Sequence, residues 1–190
     1  MSLKITGNSV FEKNNFSGNG LPKGEYENCL FRNCEFAESD LMNIIFIDCT
    51  FEQCNLSMAK IRNTALKTVK FIHCKLLGLN FSDCNPFLLS LYFEDCLMNL
   101  TSFYKLKLKG IRYKNCELKE ADFTETDLTL GIFDDCNLER AIFERTILEK
   151  ADFRTSFLYS IDPTVNRIKK AKFAQNGLAG LLDKYDIVIE

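Results

Sequence analysis

The amino-acid sequence predicts an all-β protein, a quadrilateral β-helix of about eight coils that ends in a short C-terminal α-helix. Three regularities predict this fold. A large hydrophobic residue occupies every fifth position from Phe11 to Phe81 and again from Phe93 to Leu158. The residue two positions earlier is usually small, as at Cys34. Every twentieth residue, with one slip of two, is aromatic: Phe11, Phe31, Phe51, Phe71, Phe93, Tyr113, Phe133, Phe153 and Phe173.

Each five-residue unit is predicted to form one very short extended piece and one corner. A period of five matches neither an amphipathic helix nor a long flat strand. Residues i and i−2 of an extended piece point to the same side, so the large and the small residue both face inward. The other three positions hold polar residues such as Asp40, Glu52 and Asn55, which we expect outside. Four pieces then close one coil, and the aromatic residues stack as a ladder inside it.

The β-helix is assigned to residues 1–173, with one break of register between residues 81 and 93. Phe81 and Phe93 are twelve residues apart where ten would keep the register, and Asn85 and Pro86 mark a turn between them. Because the interior is full, the extra residues are expected to bulge outward. The sequence fits both a contact loop and a tolerated surface insertion. Pro163 stands at a large inward position, which predicts a distorted side over residues 162–167.

Residues 174–190 are assigned to a C-terminal helix and a short strand over Ile187 to Ile189. The end of a β-helix exposes unpaired backbone and an apolar cross-section, so a cap is expected there. An apolar cap also provides a surface for a two-fold dimer. The candidate dimer residues have helical spacing or lie just beyond it: Leu178, Leu181, Leu182, Tyr185 and Ile187.

The residue composition argues against catalysis, metal binding and cofactor binding. Nine cysteines are present, and six of them share one small inward column: Cys34, Cys54, Cys74, Cys96, Cys116 and Cys136. We interpret them as core residues rather than as disulfides or metal ligands. His73, the single histidine, falls at a predicted corner. Phosphate-binding glycine loops and nucleophile motifs are missing from the sequence, so no catalytic, metal or cofactor residue is assigned and the protein is not expected to be an enzyme.

The sequence also predicts a cytoplasmic protein without membrane contact. Residues 1–10 contain no apolar segment of the kind that signal peptides carry. No stretch approaches the roughly 18 consecutive apolar residues of a membrane span.

Several triplets in register resemble the A(D/N)LXX repeat of pentapeptide-repeat proteins, over residues of roughly 10 to 175. Their members are Ser39-Asp40-Leu41, Cys54-Asn55-Leu56, Ala121-Asp122-Phe123, Thr126-Asp127-Leu128, Cys136-Asn137-Leu138 and Ala151-Asp152-Phe153. The resemblance implies a right-handed, four-sided β-helix.

The C-terminal residues from Ile168 to Phe173, followed by Leu178, Leu181-Leu182 and Ile187-Val188-Ile189, are similar to the end of the Qnr-type subgroup. This resemblance implies a homodimer formed through the C-terminal helix. It also implies binding to DNA gyrase or topoisomerase IV in place of DNA, with protection from quinolones or gyrase-targeting toxins in some members. Direct binding of nucleic acid is not expected.

The charge distribution adds candidate residues for this partner. Residues 117–153 carry 4 basic and 11 acidic side chains. A protein that replaces DNA should present acidic side chains, and the candidates are Glu117, Glu120, Asp122, Glu125, Asp127, Asp134, Asp135, Glu139, Glu144, Glu149 and Asp152. Residues 56–116 carry 10 basic and 3 acidic side chains. This basic belt does not suit DNA mimicry and favours a second hypothesis, a general protein–protein interaction scaffold with an unrelated partner.

Overall fold

The computed structural model describes residues 4–18 and 20–188, and they wind into a β-helix with parallel pairing between coils. One sheet has seven strands in the order β11-β10-β9-β8-β6-β4-β2, and a second has four in the order β1-β3-β5-β7. The strands are β1 Ile5–Gly7, β2 Val10–Glu12, β3 Glu25–Glu27, β4 Leu30–Arg32, β5 Ile45–Ile47, β6 Thr50–Glu52, β7 Ala65–Lys67, β8 Val69–Ile72, β9 Leu91–Glu94, β10 Arg112–Lys114 and β11 Ile132–Asp134.

Each coil has four faces, which we number by their inward residues. Face 1 carries the aromatic ladder and the seven-stranded sheet, and face 4, whose inward column includes Tyr26, carries the four-stranded sheet. Faces 2 and 3 begin inward at Phe16 and Leu21 and are held by single bridges such as Asn15↔Glu35 and Asp40↔Lys60. The seven strands of face 1 make about six turns, and the bridges Ile132↔Asp152 and Asp152↔Lys172 continue the same stacking.

A ladder of stacked aromatic rings lies along face 1. Phe31 and Phe51 stack with ring centroids 4.7 Å apart, and Phe133 and Phe153 at 4.6 Å. The ladder residues between the ends are fully buried, whereas Phe11 and Phe173 at the two ends are partly buried. Rings on neighbouring faces meet edge to face, as Phe46 and Phe51 do at 5.3 Å. Offset stacks and edge-to-face contacts are the two favourable arrangements of aromatic rings, so the periodic sequence places its rings in favourable contact both along a face and between faces.

The corners depend on residues that adopt a left-handed backbone. The second residue after an inward residue has a positive φ in most units, for example 52° at Asn28, 51° at Asp48 and 50° at Asn115. Asn and Asp tolerate this conformation better than other residues with a side chain. Asn and Asp fill fewer than half of these positions, however, and most hold other residues, such as Met58 and Leu130. The stacking of the coils therefore holds the left-handed backbone at corners whose residues do not favour it.

The cysteines are buried and free, as predicted for core residues. The Sγ of Cys54, for instance, lies 3.3 Å from the carbonyl oxygen of Phe31 in the preceding coil. Thr126 occupies an equivalent small inward position on another face, and its hydroxyl donates to the carbonyl oxygen of Phe103 at 2.8 Å. Small residues at these positions thus satisfy backbone carbonyls where one side of a coil turns into the next.

The break of register lies on face 4, within residues 86–90, which we call the 86–90 loop. Asn85 still pairs with Ala65, and Leu91 already pairs with Val69. Between them, Phe87 and Leu88 are 67% and 63% exposed, while Leu89 packs against the core. The expected outward bulge is confirmed. Without Pro86 and Phe87 the unit would read Cys-Asn-Leu-Leu-Ser, which begins like Cys54-Asn55-Leu56.

The last coil departs from the repeat earlier than the sequence predicts. Leu158 was expected inward but is 60% exposed, and Tyr159 is 4% exposed instead. The Tyr159 ring packs 5.6 Å from Phe173, where it closes the end of the interior. At the predicted distortion near Pro163, buried Asn166 donates from Nδ2 to the Phe143 carbonyl oxygen at 2.9 Å. The side-chain amide thus makes the contact, to a carbonyl 23 residues back, that the Thr126 and Thr146 hydroxyls make in the two preceding coils.

The C-terminal segment is a 3₁₀ helix, Gln175–Leu181, rather than the predicted α-helix, and a second 3₁₀ turn covers Asp183–Tyr185. Its bonds run three residues back, as from Gly177 N to Ala174 O at 3.0 Å. Gly180 approaches the Tyr159 backbone so closely that a Cβ would collide with it. Two glycines weaken an α-helix, and docking onto the last coil favours the tighter turn. Ile187 and Val188 form no strand, and Ile189 lies outside the described residues.

Candidate partner-binding surface

The predicted acidic residues do not form one patch, because the structure distributes them over all four faces. A stretch of 37 residues is nearly two coils long, so its charges surround the rod. Taking each corner with the face before it, Asp134, Asp135 and Asp152 lie on face 1, Glu117, Glu120 and Glu139 on face 2, Asp122, Glu125 and Glu144 on face 3, and Asp127 and Glu149 on face 4.

More than half of these carboxylates are neutralised by cations on the surface. Most of the pairs join neighbouring coils, one corner above the other. Their members are Glu120–Arg140 at 3.0 Å, Glu125–Arg145 at 3.2 Å, Glu139–Lys119 at 3.1 Å, Glu144–Arg145 at 2.8 Å, Glu149–Arg167 at 2.6 Å and Asp152–Arg154 at 2.8 Å. The hydrogen bonds from Arg154 hold the pKa of the Asp152 carboxyl below its ordinary value. Charge counting along the sequence therefore overstates the acidity of this segment.

Among the described residues, five of the predicted acids have no cation partner: Asp122 lies on face 3 and Asp127 on face 4, whereas the other three lie near the corner between faces 1 and 2. We call this row the acidic edge and define it as Asp95, Glu117, Asp134 and Asp135 in three successive coils. Within the described residues, none of the four has a Lys or Arg nitrogen within 4.0 Å. Asp95 faces His73 at 3.5 Å.

Hydrogen bonds hold three of the four carboxylates of the acidic edge in place. Asn115 Nδ2 donates to Asp95 Oδ1 at 2.5 Å, and Asn137 Nδ2 donates to Glu117 Oε2 at 3.0 Å. The Thr155 hydroxyl donates to Asp134 Oδ1 at 2.9 Å. Neutral donors orient these groups without cancelling their charge, so the edge is an ordered anionic row.

Sequence reasoning missed Asp95 because it lies inside the basic stretch 56–116. The twenty-residue period would have found it, since Asp95, Asn115 and Asp135 occupy the same corner in successive coils. The basic belt itself also surrounds the rod. Two of its members are paired, Lys114 with Glu94 at 2.7 Å and Lys105 with Glu125 at 3.5 Å.

The candidate dimer residues lie at one end of the rod. Leu178, Leu182, Tyr185 and Ile187 are exposed, whereas Leu181 is half-buried against the last coil. Further large apolar side chains are exposed in the same terminal region: Phe157, Leu158, Val165 and Val188. A group of this size exceeds what scattered surface hydrophobics explain.

Residues 4–18 and 20–188 offer no metal site and no helix that could span a membrane. These residues contain no group of three or more His, Cys, Asp or Glu side chains placed to hold a metal ion. In the same part of the chain, every helix is too short or too polar to cross a membrane. Burial raises the pKa of the Cys49 thiol to about 12, and that of the Cys84 thiol also to about 12. Such thiols stay protonated and unreactive near neutral pH.

Comparison with protein families identifies the repeat. The model of the pentapeptide repeat region matches residues 25–103 and 45–123, and that of pentapeptide repeats in eight copies matches residues 116–158. The chain belongs to the pentapeptide-repeat proteins. No curated protein sequence matches it.

A solved structure, that of QnrB1, shares this fold. Full-length QnrB1, a plasmid-mediated fluoroquinolone resistance protein, aligns with a TM-score of 0.52 at 16% identity, over 97% of this chain and 100% of that one. HetL, a protein of heterocyst differentiation regulation from a Nostoc cyanobacterium, aligns with a TM-score of 0.25 at 17% identity over 93% of this chain and 92% of that one. The predicted Qnr-like resemblance is thus confirmed at the level of the fold.

Proposed function

We propose that this pentapeptide-repeat protein is a non-enzymatic, dimeric rod that binds a type II DNA topoisomerase, DNA gyrase or topoisomerase IV, in place of DNA. The observation that carries the proposal is the acidic edge. Its four carboxylates lie in three coils whose spacing is about 4.8 Å, so negative charge recurs along the rod axis, as it does about every 3.4 Å along one DNA strand. A protein groove that binds phosphates would attract such a row.

The rigidity of the rod supports the same proposal. Stacked rings and inter-coil hydrogen bonds order the backbone before binding, so little conformational entropy is lost when a partner binds. The fold is shared with QnrB1, itself a fluoroquinolone resistance protein. We further propose that binding protects the topoisomerase from quinolones.

Dimerisation would place two acidic edges on either side of a two-fold axis. The exposed apolar group at the C-terminal end supplies the surface for an isologous contact. In sedimentation analysis, the pair Leu182→Glu and Tyr185→Glu should convert the dimer to a monomer. A variant that sediments like the parent protein would move the interface elsewhere.

A second candidate is a scaffold for an unrelated protein. Two observations favour it: six of the eleven predicted acids are paired with cations, and both charged belts surround the rod instead of marking one face. Repeat proteins commonly use such extended outer surfaces for binding.

Gyrase-catalysed supercoiling with the protein titrated in, with and without a quinolone, separates these candidates. We expect inhibition, or rescue from the drug, at micromolar or lower concentration. The triple variant Glu117→Gln, Asp134→Asn, Asp135→Asn should weaken the effect by about tenfold or more, because each unpaired charge contributes fully to attraction.

A matched control is the triple variant Glu120→Gln, Glu125→Gln, Glu144→Gln. It removes the same number of charges from carboxylates that are already paired, and it should change the effect by no more than about threefold. Equal losses in both variants would show that total charge, not the acidic edge, mediates binding. The scaffold would become the leading hypothesis if the parent protein had no effect on supercoiling or on drug sensitivity.

A further inference from the structure

The 86–90 loop creates a second surface on face 4, away from the acidic edge. A groove of about 350 Å³ runs beside the loop. Ile45 and Ala65 contribute its apolar lining, and the Phe87 ring stands at its end. Lys67 Nζ lies 5.8 Å from the centre of that ring. A large exposed aromatic residue beside an apolar groove is an arrangement that protein interfaces use as an anchor.

Asparagine side chains line the other side of this groove. Asn63 Nδ2 donates to Asn43 Oδ1 at 2.8 Å, and Asn85 Nδ2 reaches Asn63 Oδ1 at 3.5 Å. Asn85 Oδ1 accepts from the Phe87 amide at 2.9 Å and fixes the start of the loop. A primary amide has two donors and two lone pairs, so this row keeps hydrogen-bonding capacity for the backbone of an extended peptide.

Positive charge brackets the loop on both sides. Lys67 precedes it, and Lys107 and Lys109 lie in the following coil beside a small groove formed with Leu89 and Ser90. Within the described residues, these three lysines have no carboxylate within 4.0 Å. An apolar site with cations on either side complements an apolar side chain between carboxylates.

We infer that this surface, Lys67, Phe87, Lys107, Lys109 and the Ile45–Ala65 groove, is a docking site for a short acidic segment of a partner protein. A bulky apolar side chain of the segment packs against Phe87 in the groove. Its flanking carboxylates face the lysines.

The charges around the site favour a peptide over a nucleic acid. Asp48 stands at the corner beside the groove, and Asp127 pairs through its backbone with Lys107. A continuous phosphate row would meet these carboxylates, whereas a segment with a few acidic residues fits between them. The site also has three lysines and no arginine, and it has a single exposed aromatic ring, where single-strand binders use several for stacking.

Fluorescence anisotropy with a labelled peptide tests the inference without any topoisomerase. The probe is a short peptide with one central phenylalanine flanked by glutamates on both sides. We expect saturable binding that weakens as salt rises, because Lys107 and Lys109 are exposed and Lys67 is partly exposed. Phe87→Ala, and separately the pair Lys67→Gln and Lys107→Gln, should each weaken binding by about tenfold, the effect expected for an anchor or its charge partners.

Matched controls lie on the same face in a later coil. Leu130→Ala removes an exposed apolar side chain, and Lys150→Gln removes an exposed lysine. Neither should change the affinity. All substituted residues are on the surface, so unfolding curves should confirm that each variant retains the fold.

Three results would overturn the inference. One is the absence of saturable binding of the peptide. Another is equal binding of a peptide with alanine in place of its phenylalanine, which would mean that the groove is not used. The third is tighter binding of an oligothymidylate probe, which would identify a nucleic-acid surface. None of these depends on gyrase, so failure here leaves the proposed function intact, and a negative supercoiling assay leaves this inference intact.

Discussion

Faces 1 and 4 start alike and end differently. Both begin with three-residue strands in parallel register, Ile5 with Glu25 on face 4 and Val10 with Leu30 on face 1. Face 4 loses its sheet after β7, where the 86–90 loop begins, whereas face 1 continues through seven strands. The insertion is absorbed before Leu91, so Phe71 still stacks on Phe93 at 5.4 Å. Interior stacking therefore restores the register, and the excess chain is displaced outward on a single face.

The physical reason is the difference in free energy between the interior and the surface. A displaced ladder ring would lose roughly 1.5–3 kcal/mol of burial and leave a cavity in a close-packed core. Two extra residues in an exposed loop cost only a little closure entropy. This difference between the two faces can be tested by making matched substitutions or deletions on each face and measuring the stability of the protein.

The largest effect is expected for a charge inside face 1. Phe133→Asp would bury an unpaired carboxylate between Tyr113 and Phe153, whose rings stack on Phe133 at 4.9 and 4.6 Å. We expect a loss of more than about 4 kcal/mol of unfolding free energy. The same substitution at the exposed loop, Phe87→Asp, should stay within about 0.5 kcal/mol. Urea unfolding measures both, and similar losses at the two sites would refute the inward ladder.

A deletion tests whether face 4 is interrupted only by the inserted residues. Removing Pro86 and Phe87 restores a regular unit, in which Leu88 takes the inward position between Leu66 and Leu108. We expect the fold to persist and to gain about 1 kcal/mol at most, because buried Leu88 replaces Leu89, which already packs partly against the core. Hydrogen exchange should slow on face 4 at this coil.

The control for that deletion removes two residues where the repeat is regular. Deleting Lys75 and Leu76 shifts every later unit out of register and should unfold the coils that follow. If the Pro86–Phe87 deletion were as damaging as this control, the loop would be part of the packing of face 4 rather than an insertion.

The smallest change in stability is expected when one tyrosine hydroxyl is removed from each face. Tyr113 on face 1 is fully buried, and its hydroxyl has no hydrogen-bond partner. Tyr26 on face 4 donates its hydroxyl to the Pro22 carbonyl oxygen at 2.7 Å. Tyr113→Phe should therefore stabilise the protein by about 1 kcal/mol, and Tyr26→Phe should destabilise it by about 1 kcal/mol. Changes of the same sign in thermal unfolding would contradict this assignment of the two hydroxyls.

The regular part of the fold was predictable because its determinants repeat. An aromatic residue recurs every twenty positions, for example at Phe31, Phe51 and Phe133. One exceptional residue therefore does not obscure the period. The terminal coil was less predictable. Leu158 matches the repeat in type and spacing, yet Tyr159 is buried in its place, because the interior has no further coil to stack on and the larger ring closes it.

The candidate sites were likewise predictable in part. The sequence identified the acidic segment, the basic belt and the slip near Asn85. It did not identify the acidic edge, because pairs such as Glu120 with Arg140 form between residues one coil apart and cancel charges that a linear count adds. Asp95 belongs to the acidic edge because it occupies the same corner as Asp135, two coils away.

By itself, the sequence determined the four-sided β-helix, the inward residues of its regular coils and the position of its one insertion, since these follow from local spacing and from the burial of apolar side chains. Only the tertiary structure decided which charges stay unpaired, why Tyr159 is buried in place of Leu158, and why the C-terminal segment is a 3₁₀ helix against Tyr159. Those outcomes depend on contacts between residues about twenty positions apart or more, and on the space left at the end of the last coil, which local spacing does not specify.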